Sequence, residues 1–201
     1  MRILKLLSVA VLAFGSVHPA QAADQYGFDQ LHTQVMFFVS HLGFAKSSGE
    51  FHQVDGYFMF DEANPAASVI DVSIPTSSID MDSEKWNTHM KGKNFFNVEE
   101  FPVMTFKSTA IAVTGEKTAD ITGDFTLLGV TKPVVLNVVH NKTGNNPFSG
   151  KAQAGFSATT QIKRSDFGMK YALPGVGDDV EIRLEVEAVK SEVDPTNAGN
   201  Q

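Results

Sequence analysis

Apolar and polar positions alternate along most of the chain that follows its first 22 residues. The pattern is clearest near the end of the chain, in a row with a charged residue between each pair of apolar ones. The row is formed by Val180, Ile182, Leu184, Val186 and Ala188. Because successive side chains of a strand point to opposite faces, this alternation predicts strands with one buried face. We predict nine strands, near residues 28–41, 49–61, 68–76, 102–109, 111–115, 118–128, 132–141, 151–163 and 178–190.

The first of these strands departs from simple alternation because both of its faces carry apolar residues. One face is predicted to point inward and consists of Thr33, Val35, Phe37, Val39 and His41. The opposite face holds Met36 and Phe38, which we expect to need a separate cover on the outside of the protein. The strand therefore raises two possibilities, a ligand inside and a partner outside.

Two kinds of connection are visible between the predicted strands. Residues 58–68 and 125–136 place turn-forming residues between β-rich runs, which is typical of antiparallel neighbours. Between the third and fourth strands, Asp82 or Ser83 is suited to cap a short helix that runs to about Lys91 and ends at Gly92. Many strands and one helix predict an all-β antiparallel barrel or sandwich. An inner apolar row on every strand favours the barrel, and an eight-stranded barrel is either filled or holds one small ligand.

The N-terminal segment has the features of an export signal. Arg2 and Lys5 precede an apolar run that closes on Ala20-Gln21-Ala22, as in a secretory signal peptide. We therefore divide the chain into a signal peptide (1–22), one barrel domain (23–190) and a polar tail (191–201). The chain contains no cysteine, which excludes disulfides and thiol chemistry. These features predict a periplasmic protein.

Charge and composition exclude several classes of function. Without Arg2 and Lys5, the 16 basic residues become 14 against 23 acidic ones, a net charge of −9. This charge argues against binding to nucleic acid and against non-specific adhesion to anionic lipid surfaces. No later segment is long and apolar enough to span a bilayer. The histidines show no metal-binding spacing, so we predict no metal. We also predict no catalytic residue, although His41 with Asp166 is kept as an alternative acid–base pair.

The candidate ligand-binding residues are mainly aromatic. Phenylalanine adds apolar area without a polar atom, so it suits a core or a lipid cavity equally well. On the strands, the phenylalanines compatible with an inner face are Phe37, Phe51, Phe58, Phe60, Phe101, Phe106, Phe125 and Phe156. Two glycine-rich loops add Phe44, Phe167, Met169 and Tyr171, a composition typical of a hydrophobic mouth. With Val35, Val39 and His41, all of these except Phe101 form the predicted ligand site.

The sequence resembles the YceI-like family from about Tyr26 to Lys190. The resemblance rests on the order and spacing of HTQVMFFVSHLGFAKSSGEF, FDEANP, FFNVEEFPVMTFKST, TGDFTLLGVTKPV, RSDFGM and VGDDVEI. It implies an extended eight-stranded lipocalin-like barrel around an elongated hydrophobic cavity. It also adds Phe95 to the ligand-binding residues. One departure is Trp86-Asn87, which stands where relatives often have an Arg-Asp pair.

The resemblance implies a binding protein for a polyisoprenoid or similar long-chain amphiphile, including isoprenoid quinones, with no other cofactor. Family members are linked to stress responses, and homodimers are known among them. We expect the ligand's head group near the loops that contain His41, Lys46, Arg164 and Lys170. Two alternatives remain open: an enzyme acting on such a lipid, and an envelope stress or scaffold protein whose barrel is filled and whose Met36 and Phe38 contact a partner.

Overall fold

Strands make up most of the computed structural model, which describes residues 23–191. The predicted signal peptide and residues 192–201 of the predicted tail lie outside the described residues. The strands are β1 (Asp24–Phe28), β2 (Gln34–His41), β3 (Ala45–Phe51), β4 (Asp55–Phe60), β5 (Val69–Pro75), β6 (Ile79–Asp80), β7 (Val103–Val113), β8 (Thr118–Leu127), β9 (Val130–Asn145), β10 (Ala152–Lys163) and β11 (Val176–Lys190). The helix α1 is Glu84–Lys91, and short 3-10 turns lie at Pro65–Ala67, Thr76–Ser78 and Arg164–Phe167.

The strands form a closed antiparallel barrel with eight strand positions. β1 pairs with β4 on one side and with β11 on the other, which closes the ring β1-β4-β5-β7-β8-β9-β10-β11. β2 continues the position of β1 along β11, β3 continues that of β4 along β2, and β6 pairs with β3. The predicted eight-stranded, all-β, lipocalin-like barrel is confirmed.

Two of the predicted strands are interrupted in the structure. The predicted strand 28–41 turns after Phe28, where the Asp29 carboxylate accepts hydrogen bonds from the Leu31 N–H (3.0 Å) and from His32 Nδ1 (2.8 Å). The predicted strand 49–61 breaks at residues 52–54, where Gln30 bonds both backbone groups of Val54. Polar side chains thus satisfy the backbone locally and compete with the sheet.

In contrast, the predicted strands 102–109 and 111–115 form the single strand β7. The register shifts between Ser108 and Ala110, where β7 faces Gly123 of β8. A β-bulge of this kind adds one residue and bends the strand without ending it. The apparent break in alternation was therefore a bulge and not a loop.

The helix α1 occupies its predicted position, beginning after Ser83 and ending at Gly92. The Ser83 side chain makes no capping hydrogen bond. Instead, Asn87 ties the helix to β6: its Nδ2 donates to Asp80 Oδ1 (2.9 Å), and its Oδ1 accepts from the Met81 N–H (2.7 Å). The hydrogen bonds from Asn87 and His52 lower the pKa of the Asp80 carboxyl.

Two apolar clusters divide the barrel interior along its axis. The larger lies at the end next to α1 and includes Phe51, Phe96 and Phe167. The smaller lies near the two ends of the described chain, where the Tyr26 ring stacks on Phe58 with centroids 5.2 Å apart. We call these the helix end and the terminal end of the barrel.

Candidate functional site

A cavity of about 590 Å³ runs through the barrel interior. Its walls are the inner rows of the strands, including Ile70, Val72 and Ile74 on β5 and Ile182, Leu184 and Val186 on β11. The inner faces predicted from alternation on these strands are therefore the ones that face the cavity. This size and apolar lining are usual for a site that holds one elongated small molecule.

The structure brings eleven of the fifteen predicted ligand-binding residues to the cavity wall. They come from six different strands, the segment after α1 and the β10–β11 loop. These residues are Val35, Phe37, Val39, Phe51, Phe58, Phe60, Phe95, Phe106, Phe125, Phe156 and Met169. Their position fits contact with a ligand, and that contact remains a prediction.

The other four predicted residues lie outside the cavity wall. Phe167 is buried against Phe125, with ring centroids 5.4 Å apart, and Tyr171 packs on Phe95 with about half of its surface exposed. His41 ends β2 and pairs with Ala45. Phe44 is 91 % exposed in the β2–β3 turn. Phe167 and Tyr171 therefore support the wall from behind, whereas Phe44 contacts solvent.

Glycines explain how so many phenylalanines leave space in the barrel. A Cβ atom at Gly49 would lie 2.6 Å from Phe37 Cζ, and one at Gly123 would lie 2.7 Å from Phe106 Cε2. Each ring therefore lies directly over a glycine of the neighbouring strand. Since the rings are folded against the wall, the centre of the barrel stays open.

The helix end of the cavity is closed by buried side chains. Met90 of α1, Phe95 and Phe96 after it, and Met169 of the β10–β11 loop are each less than one-tenth exposed. Phe96 packs edge-on against Phe51 with ring centroids 5.3 Å apart. The segment from α1 to residue 96 thus acts as a plug.

Arg164 holds the β10–β11 loop in its closing position. Its side chain is 3 % exposed and borders the cavity. Nε donates to the Gly177 carbonyl (2.7 Å), Nη1 to that of Met169 (3.0 Å) and Nη2 to that of Val176 (2.9 Å). Burial lowers the pKa of this guanidinium, which nevertheless stays charged at neutral pH because an arginine starts so high. The structure thus gives Arg164 an anchoring position rather than one at a mouth.

The cavity opens at the terminal end, opposite to the end predicted from the loop composition. The exposed lining residues belong to the β4–β5 loop, the end of β7, the β7–β8 turn and the outer part of β9: Glu62, Val113, Gly115, Glu116, Lys117, Thr118, Asn141 and Lys142. The expectation of a mouth at His41 and Arg164 was wrong. The apolar groups of residues 164–171 pack inward, so that loop closes the barrel.

Polar groups missed by the sequence analysis gather at this mouth. The His140 ring lies between Phe60 and Phe156, at centroid distances of 5.3 and 5.1 Å, and its Nε2 bonds Thr143 Oγ1 at 2.8 Å. Lys117 and Lys142 border the same opening. The alternation of β9 could have predicted the position of His140. The inner row of this strand, Val134, Leu136 and Val138, continues to His140.

Met36 and Phe38, the residues predicted to need a cover on the outside, both have contacts within the chain. The Arg183 guanidinium lies 4.9 Å from the centre of the Phe38 ring, and the same guanidinium pairs with Glu181. Met36 borders the cavity instead of lying only on the outer face. Phe38 is thus covered by its own chain.

The described residues do not join His41 to Asp166, and they contain one group of potential metal ligands. There, His41 makes no side-chain hydrogen bond to Asp166, and Ser165 bonds Asp178 instead (2.8 Å). Asp29, His32 and Glu187 form the only group of three potential metal ligands in residues 23–191, with ligand atoms within 4.8 Å. The Asp29–His32 hydrogen bond raises the pKa of His32 and shapes the β1–β2 turn. The absence of metal and of catalysis remains a prediction.

The fold and cavity together define a class, the lipocalin-like barrels with an apolar interior. More specifically, the YceI-like domain profile matches residues 26–188, and the chain belongs to this family. A UPF0312 protein of Ectopseudomonas mendocina is 40% identical over 188 residues, covering 91% of this chain and 97% of the relative. Another, from Pseudomonas savastanoi, is 43% identical over 169 residues, covering 81% and 87%. The expected family is confirmed.

Solved structures show the same barrel. A Campylobacter jejuni YceI protein is 29% identical with a TM-score of 0.67, over 76% of this chain and 90% of that one. BcnA of Burkholderia cenocepacia has a TM-score of 0.72 at 24% identity, over 80% and 98%. A polyisoprenoid-binding domain from Saccharophagus degradans has a TM-score of 0.59 at 14% identity, over 84% and 99%. The latter two likenesses show the fold alone.

None of the helices within residues 23–191 has the length and apolar character needed to span a bilayer.

Proposed function

We propose that this protein binds a polyisoprenoid or similar long-chain amphiphile inside its barrel and carries it in the periplasm. The observation that carries this proposal is one apolar cavity, closed at the helix end and open at the terminal end. The family membership and the polyisoprenoid-binding domain with the same fold support it. The signal-like residues 1–22 support the periplasmic location.

The wall chemistry suits a prenyl tail because such a tail has no hydrogen-bonding groups. Burial of apolar surface contributes about 25 cal/mol per Å² before ordering costs are subtracted. Affinity should therefore rise with tail length until the cavity is full. An isoprenoid quinone is one ligand with these properties.

We place the head group of the ligand at the terminal end. There Lys117 and Lys142 are exposed beside the opening, and His140 and Thr143 offer hydrogen-bonding groups. At the helix end the cavity wall consists of buried side chains such as Phe95, Phe96 and Met169, and three of the Arg164 donors already bond carbonyls. The tail would then point toward Phe95, Phe96 and Met169.

Ligand extraction tests this proposal directly. The protein, purified without detergent, should release a lipid that organic extraction and mass spectrometry identify. After extraction, it should take up an added long-chain isoprenoid quinone. A protein that carries no lipid and takes up none would overturn the proposal.

A pair of neighbouring substitutions on β10 separates the cavity from the outer surface. Ala158 borders the cavity, whereas Thr159 faces outward. Ala158→Phe should occupy part of the empty interior and reduce lipid uptake by about tenfold or more, since it displaces buried apolar contact. Thr159→Phe is the matched control and should leave uptake unchanged. Equal uptake by both variants would show that the lipid binds elsewhere.

This role needs no chemical step, so we assign no catalytic residue and no cofactor other than the lipid. An unchanged ligand after long incubation is the expected result, and a new product would favour the enzyme alternative.

A homodimer is also part of the proposal and is tested by light scattering. Since Arg183 covers Phe38, Phe38→Lys should leave the measured mass unchanged.

A further inference from the structure

The turn between β9 and β10 holds a phenylalanine almost completely in solvent. Phe148 is 97 % exposed, yet the turn around it is well organised. Asn146 Oδ1 accepts hydrogen bonds from the backbone N–H of Phe148 (2.8 Å) and of Ser149 (3.0 Å), and Asn146 Nδ2 donates to Gln153 (2.8 Å). The exposed ring is therefore held by a defined backbone.

The hairpin that carries Phe148 extends beyond the mouth of the cavity. β8 begins at Thr118, opposite Val139 of β9. Next to this pair, the His140 N–H donates a hydrogen bond to the Lys117 carbonyl (2.8 Å). Beyond that point β9 pairs with β10 alone. The inner side of this extension, His140 to Thr143, lines the mouth. A lipid that reaches the hairpin is thus next to the cavity wall.

The charge of this hairpin differs from that of the chain. Residues 140–153 contain Lys142 and Lys151 and no acidic residue, whereas the chain carries a net charge of −7. Neither lysine takes part in an ion pair within residues 23–191. A basic pair that flanks an exposed aromatic ring is complementary to an anionic membrane surface.

We propose that the β9–β10 hairpin docks the barrel mouth on the surface of an anionic phospholipid bilayer, with Phe148 in the interface and Lys142 and Lys151 on the head groups. This inference rests on the proposed lipid-carrying function, because docking places the bilayer beside the cavity opening. It adds the surface from which the ligand enters or leaves.

The helix end also exposes aromatic residues, among them Phe44 and Trp86. There, however, the cavity wall consists of buried side chains, so docking at that end would offer the lipid no path inward. The two ends make opposite predictions, and the chain contains a matched pair of exposed phenylalanines with which to compare them.

Sedimentation with vesicles of phosphatidylglycerol and phosphatidylethanolamine measures docking. Phe148→Ala should weaken vesicle binding about tenfold, as expected for losing one buried aromatic side chain. Phe44→Ala is the matched control at the helix end and should bind as the unmodified protein does. Loss of binding with Phe44→Ala, or none with Phe148→Ala, would overturn the proposal.

The electrostatic contribution has its own variants. Lys142→Gln together with Lys151→Gln should weaken vesicle binding by more than tenfold at low salt, because each lysine near an anionic surface contributes about fivefold. Lys85→Gln with Lys93→Gln removes the same charge at the helix end and should have little effect. High salt should weaken binding of the unmodified protein and remove the difference between these variants. Equal effects of the two pairs would contradict docking by the hairpin.

Fluorescence reports which end meets the bilayer. Trp86 is the only tryptophan and lies on α1 at the helix end, so its emission should not change on addition of vesicles. Phe148→Trp combined with Trp86→Phe moves the fluorophore to the hairpin and should give a blue shift. A blue shift from Trp86 alone would indicate docking by the opposite end.

Quinone delivered from a cyclodextrin complex keeps this inference separate from the proposed function. Phe148→Ala should take up such quinone normally but exchange it with vesicles more slowly. Normal vesicle exchange by Phe148→Ala would overturn docking while leaving lipid binding intact. Failure of the unmodified protein to take up quinone would contradict the proposed function itself. A lower mass of Phe148→Ala in light scattering without vesicles would show that Phe148 is a contact between two copies, and docking would be rejected.

Discussion

Arg164 shows how one buried side chain can organise a loop. Its guanidinium reaches three carbonyls that lie 5, 12 and 13 residues away in the chain. Within residues 23–191 this guanidinium forms no ion pair with a carboxylate, and the nearby Asp178 bonds Ser165. The planar fork of an arginine suits several fixed acceptors, whereas a lysine has one flexible ammonium. Arg164 therefore connects the end of β10 to the start of β11.

Arg164→Lys should lower the free energy of unfolding by about 3 kcal/mol, since buried carbonyls lose charge-assisted hydrogen bonds. Urea denaturation measures this loss. The control is Arg183→Lys, because that side chain is 53% exposed and should change stability by no more than about 0.5 kcal/mol. Similar losses for the two variants would mean that the carbonyl contacts do not support the loop.

The pairing of β7 with β8 shows how two strands keep the interior open. Gly123 faces the bulge in β7, and a Cβ atom there would lie 2.7 Å from the Lys107 carbonyl oxygen as well as against Phe106. A ring that packs on a glycine across two strands stays close to the sheet. The strand pair thus positions one of the predicted ligand-binding phenylalanines.

Gly123→Ala should push the Phe106 ring toward the cavity centre and reduce quinone uptake. It should also destabilise the protein by about 1–3 kcal/mol, the usual cost of overpacking. Gly27→Ala in β1 is the control, because a Cβ atom there would meet nothing within 4 Å. A Gly123→Ala variant with normal uptake and stability would contradict the close approach of ring and glycine.

At the scale of the whole molecule, the barrel has a dense plug at one end and a cavity along its axis. The cavity of about 590 Å³ leaves the inner side chains without partners on one side. A ligand that fills the space stabilises the folded state only, so its binding must appear as added stability.

The lipid-loaded protein should therefore melt at a higher temperature than the extracted one. At a free ligand concentration of 100 Kd the gain is about 2.7 kcal/mol, which corresponds to roughly 5–10 °C for a chain of this size. Differential scanning calorimetry of both forms gives the difference. Ala158→Phe should show a much smaller shift, and an equal shift in that variant would argue against binding inside the barrel.

Local alternation predicted most of the strands and their inner faces, and it favoured the barrel class. Val35, Phe37 and Val39 illustrate this, because the two-residue period of a strand assigns a face before any partner is known. The helix ending at Gly92 is equally local. Alternation failed at the Asp29 turn and at the β7 bulge, where one or two residues change the backbone without changing the composition.

Tertiary structure alone decided which end of the barrel opens. Glycine and apolar residues in 164–175 could form either a mouth or a plug; their packing on Phe95 and Phe125 makes them a plug. In the same way, the pairing of β1 with β11 closes the ring between residues more than 150 positions apart. Such contacts depend on the summed burial of distant segments, which no local period of the sequence encodes.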